Sequence, residues 1–192
     1  MVNAGTKLLI DVGTDHAYLP IYLLKNNLVN FIFAVDRLKG PLLNAKKNIE
    51  KYGLKGRASF FLSNGLESLQ PQSSGTVVMA GIGAENIVNI IKKANWLKNS
   101  KITLILQPMT KEEILREFLA KSFFKILEEK FVIDAGKVYV VFKVRFSSED
   151  QSHLLDDPNY LFLGNSLSRA KTEPVEKYIN KQLKRKKFYK EN

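Results

Sequence analysis

Two hydrophobic periods alternate along the chain. Lys7-Leu8-Leu9-Ile10-Asp11-Val12 is a short apolar run closed by Gly13, as expected of a strand buried on both faces. Phe31 to Asp36, Ala58 to Leu62, Thr76 to Ala80 and Ile102 to Leu106 repeat the form, so five strands are predicted. Between them the period lengthens to that of a helix. Pro20 opens a helical stretch through Leu24, where its missing amide costs nothing. A helix from Pro41 turns Leu42, Ala45, Ile49 and Tyr52 inward, and Gly53 falls where a C-terminal cap would sit. Ile87, Ile90, Ile91 and Ala94 mark the next helix. Thr110 and Glu113 make a capping-box pattern ahead of Ile114, Leu115, Phe118 and Leu119. There the alternation stops. Phe124 to Ile133 and Val138 to Phe146 flank Asp134-Ala135-Gly136, which predicts an antiparallel hairpin.

Alternating strands and helices that end in a hairpin predict an α/β fold with a seven-stranded sheet, mostly parallel, whose last pair is antiparallel. That outline resembles the Rossmann-like sheet of class I methyltransferases more than a symmetric dinucleotide-binding fold. The sheet is expected to end near Arg145, giving a first domain over 1–146. Residues 147–165 read as a polar linker with an apolar patch at Tyr160–Leu163. Thr172 to Phe188 reads as a closing helix with the stripe Val175, Tyr178, Ile179 and Leu183. Its first turn carries Glu173 and Glu176 and its last turn lysines, which suits the helix dipole. Residues 147–192 are therefore a linker and a basic helical segment.

Composition narrows the function. The chain has 192 residues, 45% hydrophobic and 26% charged, enough for one domain and an appendage. With no cysteine, disulfide frameworks, zinc ribbons and thiol nucleophiles are excluded. Two histidines do not make a metal site, and His153 lies in the polar linker. Ser63, Ser68 and Ser73 have no base partner in view, so a hydrolase triad is unsupported. No apolar run approaches the roughly 20 residues of a membrane span, and no charged-then-apolar leader opens the chain. A cytoplasmic protein is expected, as a monomer, with a dimer left open. Thirty Lys+Arg against 19 Asp+Glu leave a charge of +11, which points to a polyanionic partner. Residues 171–192 are the most basic segment, with eight bases (Lys171, Lys177, Lys181, Lys184, Arg185, Lys186, Lys187, Lys190) and three acids. Charge alone fits either a solvated helix face or contact with nucleic acid.

Chemistry concentrates at the strand ends. In a parallel α/β sheet, ligands bind beyond the carboxyl ends of the strands. The first such turn is Asp11-Val12-Gly13-Thr14-Asp15-His16-Ala17. Gly13 lets the backbone approach a ligand, but Asp15 and His16 stand where small residues would cradle a pyrophosphate. Negative charge there suits a cation, such as the sulfonium and ammonium of S-adenosylmethionine. Asp36 follows Gly13 by 23 residues, a spacing at which an acid can accept both ribose hydroxyls. It can equally be an ordinary turn residue. Asn64-Gly65 offers an amide to an adenine edge or a simple turn, and Ala80-Gly81-Ile82-Gly83 either clears space for a flat ring or shapes a helix entry.

Taken together, Asp11-Val12-Gly13-Thr14-Asp15-His16-Ala17-Tyr18-Leu19-Pro20 resembles the signature of bacterial tRNA (adenine-22-N1)-methyltransferases. Lys39-Gly40-Pro41, Asn64-Gly65-Leu66, Gly81-Ile82-Gly83 and Leu106-Gln107-Pro108 extend the resemblance over roughly residues 8–146. It implies a class I methyltransferase domain, a small helical coiled-coil domain, S-adenosylmethionine as cofactor and tRNA as partner. Asp11, Gly13, Asp15, His16, Asp36, Asn64, Gly65, Ala80, Gly81, Ile82 and Gly83 are then the expected cofactor residues. Asp15, His16 and Tyr18 are the expected residues at the reacting base. Gln107, Pro108, Lys177, Lys181, Lys184 and Arg185 are the expected tRNA contacts. The chain departs from the family pattern in three places. Members usually have a helical segment ahead of the first strand, so a misassigned start or a reduced tRNA-gripping surface is expected. Asn64 stands where Asp is usual, and Ala84 where a third glycine is usual. No Asn/Asp-Pro-Pro-Tyr/Phe sequence follows the fourth strand, which favours a ring nitrogen over an exocyclic amine as methyl acceptor. A noncatalytic RNA-binding protein on the same fold, or a Rossmann-type oxidoreductase, are the alternatives; the acidic first turn disfavours the latter.

Overall fold

The computed structural model describes residues 1–157, 159–164 and 172–191, with side chains as far as Arg185. Its strands are β1 (Thr6–Val12), β2 (Val29–Asp36), β3 (Ala58–Leu62), β4 (Gly75–Ile82), β5 (Ile102–Pro108), β6 (Phe124–Asp134) and β7 (Lys137–Phe146). They form one sheet in the order β3-β2-β1-β4-β5-β7-β6. Pairs among β1 to β5 are parallel, whereas β7 runs antiparallel to both β5 and β6. The helices are α1 (Tyr18–Lys25), α2 (Lys39–Lys51), α3 (Ala84–Lys93), α4 (Glu112–Lys121), α5 (Tyr160–Leu163) and α6 (Glu173–Glu191). No helix among the described residues is long and apolar enough to cross a membrane.

Because β1 is covered on both faces, its consecutive side chains enter different cores. Leu9 joins Leu24, Ile32, Ala45 and Ile49 under α1 and α2. Ile10 joins Met79, Ile87, Leu104 and Leu115 under α3 and α4. Each such side chain contributes about 1.5–3 kcal/mol by burial, which explains the unbroken apolar runs of the central strands.

Several local details differ from the sequence reading. The first two helices begin two residues before their prolines, so Pro20 and Pro41 sit in the first turn, still where an amide lacks an intrahelical partner. Tyr52 faces outward with Lys25 5.0 Å above its ring. The capping box does not form. Lys111 adopts a left-handed conformation at φ 58° and no side chain caps the helix, so α4 starts at Glu112 instead. The expected linker contains a 3-10 turn, Ser152–Asp156, and the short helix α5, whose Tyr160 is buried. On α6 the inward stripe is Val175, Tyr178 and Gln182, while Leu183 is exposed. Lys171 and the side chains of Lys186, Lys187 and Lys190 lie outside the described residues.

The C-terminal segment is fastened by a buried cation. Arg116 on α4 has 0% exposure. Its Nε donates to Glu129 Oε1 at 2.9 Å, and its Nη1 to the Leu161 carbonyl at 2.9 Å and to the Tyr178 hydroxyl at 3.1 Å. The guanidinium also lies 5.0 Å from the Phe142 ring centre. Burial pushes the Tyr178 hydroxyl up to about 12, so it stays neutral beside this charge. One side chain thus joins α4, β6, α5 and α6.

Candidate active site

The sheet order reverses direction between β1 and β4, and a ligand crevice is expected at their carboxyl ends. The turn after β1 is wound tightly. Both Gly13 and Thr14 donate their N–H groups to the Val35 carbonyl, at 2.9 and 3.0 Å. Asp15 and Ala17 hold left-handed backbone at φ 47° and 58°, an uncommon conformation that concentrates at functional loops. Asp36 anchors the turn from below. Its Oδ2 accepts the Asp15 N–H at 3.2 Å and its Oδ1 the Leu38 N–H at 2.9 Å.

Beside this turn lies a cleft of about 710 Å³. It gathers Gly13, Asp36, Asn64, Gly65, Gly81, Ile82 and Gly83 from four strand ends. Gly65, at φ 66°, lets the chain press on α3, since a Cβ there would meet Ile90 at 2.7 Å. Gly81, at φ 74°, marks a bulge where the β4–β5 register shifts between Ala80 and Ile82. The N–H of Gly81 is taken up at 2.8 Å by Oε1 of Gln107, whose Nε2 donates to the Pro108 carbonyl at 3.0 Å. Gln107 therefore ties the end of β4 to the end of β5, a role separate from the expected tRNA contact.

Asp11 lies outside the cleft lining and is only 6% exposed. Burial pushes its carboxyl up to about 6, with the Thr14 hydroxyl drawing it down and Asp36 adding repulsion. Neither Asp11 nor Asp36 has an ion-pair partner among the described residues. The remaining expected residues form a rim. His16 Nε2 lies 3.7 Å from Asp15 Oδ2, and the His16 and Tyr18 rings stack with centres 5.3 Å apart. Tyr18 is 69% exposed, so its ring is open to a substrate. Ala80 is exposed at the end of β4.

Sequence reasoning missed the far wall. Asn86, Asn89 and Lys93 on α3 also line the cleft. Their spacing of three and four residues, opposite the buried Ile87 and Ile91, is the signal that would have found them. Lys93 pairs with Glu67 at 2.8 Å, and Glu67 also accepts Asn64 Nδ2 at 3.1 Å. Lys93 holds the Glu67 carboxyl below its ordinary range. Two of the expected tRNA contacts are also engaged within the protein. Lys181 and Arg185 meet Glu112 at 2.9 and 3.2 Å, and Arg185 reaches Glu113 at 2.9 Å.

A family model for tRNA (adenine(22)-N(1))-methyltransferases, TrmK, matches residues 9–192. The chain belongs to this family. It is 31% identical over 146 residues to the Bacillus subtilis tRNA (adenine(22)-N(1))-methyltransferase. That match covers 76% of this chain and 61% of the Bacillus protein, about three-fifths of the relative's length. A Streptococcus pneumoniae protein solved in complex with S-adenosyl-L-methionine is similar at 30% identity and a TM-score of 0.84, covering 98% of this chain and 86% of that one. M. capricolum TrmK, solved with S-adenosyl-homocysteine, shares 26% identity at a TM-score of 0.68, covering 97% and 92%.

Proposed function

We propose that this TrmK-family protein transfers a methyl group from S-adenosylmethionine to N1 of adenine 22 in tRNA. One observation carries the reading: Asp36, a carboxylate with no ion-pair partner among the described residues, lines a glycine-built cleft, with the buried Asp11 on the adjacent strand. A nucleoside bearing sulfonium and ammonium groups fits that donor set, and a pyrophosphate does not. Asp36 would take the ribose hydroxyls with the lone pairs left by its two backbone contacts. Asn64 donates to Glu67, which leaves its carbonyl oxygen as the acceptor for an adenine amino group. The names of the relatives and the cofactors bound in two of them support the same reading.

Bound there, S-adenosylmethionine supplies a methyl group on a positively charged sulfur. The chain's own residues do the rest. Adenine N1 has a free lone pair and needs no prior deprotonation, so alignment supplies much of the acceleration. The ring becomes cationic as the new bond forms, and the Asp15 carboxylate on the rim would stabilise that charge. His16, beside Asp15, would accept a proton from the exocyclic amine, and the exposed Tyr18 ring would stack on the base. Residues 1–146 form the methyl-transfer unit in this scheme and 147–192 the segment that helps hold tRNA in the cytoplasm.

The test is mass spectrometry of nucleosides from tRNA incubated with the protein and methyl donor. The expected product is 1-methyladenosine, lost when the tRNA carries another base in place of adenine 22. Asp15→Ala should lower the single-turnover rate at least tenfold with little change in tRNA affinity. Failure of the wild-type protein to methylate tRNA while binding S-adenosylhomocysteine would overturn the reading.

A further inference from the structure

A second hollow, of about 620 Å³, opens beside the cofactor cleft. The two share a wall. Pro108 and Met109 line the second hollow, Pro108 is registered against Ile82, and the Met109 N–H donates to the Ile82 carbonyl at 3.0 Å. Ile82 in turn lines the cleft. The groove therefore adjoins the cofactor cleft along the ends of β4 and β5.

Its chemistry is cationic over an apolar floor. Met109, Val138 and Tyr139 supply the floor, and Lys137 rises at one side from the hairpin turn. Lys177, Lys181 and Lys184 rise opposite from one face of α6, at the four- and three-residue spacing that aligns side chains on a helix. The groove's acid is Glu112, which is 2% exposed and already neutralised by Lys181 and Arg185. Burial would raise the Glu112 carboxyl, but hydrogen bonds from Lys181 and from the Glu112 backbone N–H, with the charges of Lys181 and Arg185, outweigh it and hold the group below its ordinary range. The lysines thus divide. Lys181 serves the fold, whereas Lys137, Lys177 and Lys184 are exposed, and no ion pair engages them among the described residues.

N1 lies on the pairing edge of adenine. The target base must therefore be unpaired when it reacts, with the strand next to it held open. A cationic groove with an aromatic side chain on its floor is the surface that holds an opened strand. We propose that this groove binds the RNA strand flanking the target adenine, with phosphates on Lys137, Lys177 and Lys184 and a sugar or base against Tyr139 and Met109. The proposal rests on the methyl-transfer reading above, and it moves the RNA surface from the whole basic tail to three lysines, one of them on the hairpin.

Fluorescence anisotropy of labelled tRNA with the full chain, over a series of salt concentrations, tests it. Simultaneous replacement Lys137→Ala, Lys177→Ala and Lys184→Ala should weaken tRNA binding at least tenfold at low salt. It should also make the slope of log affinity against log salt shallower by about 2–3, from three lost phosphate contacts. Arginine at the same three positions should restore the slope, and stabilisation by S-adenosylhomocysteine should persist in both variants. Lys181→Ala should lower the melting temperature, because Glu112 loses a partner, yet keep the wild-type slope. A triple variant with wild-type slope and affinity overturns the groove. A wild-type protein that binds tRNA through these lysines but never methylates it overturns the reaction and leaves the groove supported. A wild-type protein without tRNA affinity overturns both.

Discussion

Asp11 and Asp36 lie on adjacent strands and are both buried. Asp36 is held by two backbone N–H groups, whereas the Asp11 carboxyl is pushed by burial up to about 6. A carboxyl raised in the folded state favours folding while protonated. That contribution is complete below the unfolded value near 3.8 and is lost as pH rises through about 6, a difference of about 3 kcal/mol. Asp11→Asn should therefore gain stability on the wild type between pH 4 and pH 7, as urea unfolding at the two values would show. An equal difference at both would place the Asp11 charge elsewhere. Asp36→Ala should weaken S-adenosylhomocysteine binding by about 1–3 kcal/mol in calorimetry, and unchanged affinity would remove Asp36 from the site. The placement of Asp36 was readable because an acid ending a second strand at that spacing is a positional signal. The state of Asp11 was not, because burial depends on what the fold lays over it.

Elements carry the site through their ends. The β4 bulge turns the Gly81 N–H away from the ladder, and the Gln107 side chain captures it. Gln107→Ala should reduce S-adenosylhomocysteine affinity about two- to tenfold, the effect of one net hydrogen bond. Gln107→Glu keeps the acceptor and should retain most of the affinity. Titrations of both variants check the assignment, and equal losses would refute it. The strands were legible because unbroken apolar runs between glycines allow few other readings, and the hairpin announced itself through Asp134-Ala135-Gly136. The start of α4 was not. Thr110 and Glu113 have the right spacing, but the left-handed Lys111 between them leaves the box unformed, and Arg185 takes Glu113 instead.

At the scale of the molecule, the basic tail is part of the fold as well as a charged surface. Removing everything after residue 165, itself outside the described residues, would take Tyr178 from Arg116 and both cations from Glu112. A buried charge left without its partner is strongly destabilising, so such a truncation would confound RNA affinity with stability. Tyr178→Phe isolates the effect. It should lower stability by about 1.5–3 kcal/mol in urea unfolding, since the lost bond is to a charged group, and a loss below 0.5 would show the contact to be idle. This hub was invisible in the sequence, where Arg116 looks like an ordinary charge on an amphipathic helix and its partners lie 13 to 62 residues away.

That separation has a consequence in time. Synthesis proceeds at about 5–20 residues per second, so Tyr178 follows Arg116 out of the ribosome's catalytic centre by about 3–12 seconds. For that interval the guanidinium has no Tyr178 hydroxyl to meet. The strands that build the cofactor cleft precede it in the chain and can pair meanwhile. The growing protein would then be able to shape its cleft before it can lock the helix that borders the neighbouring groove.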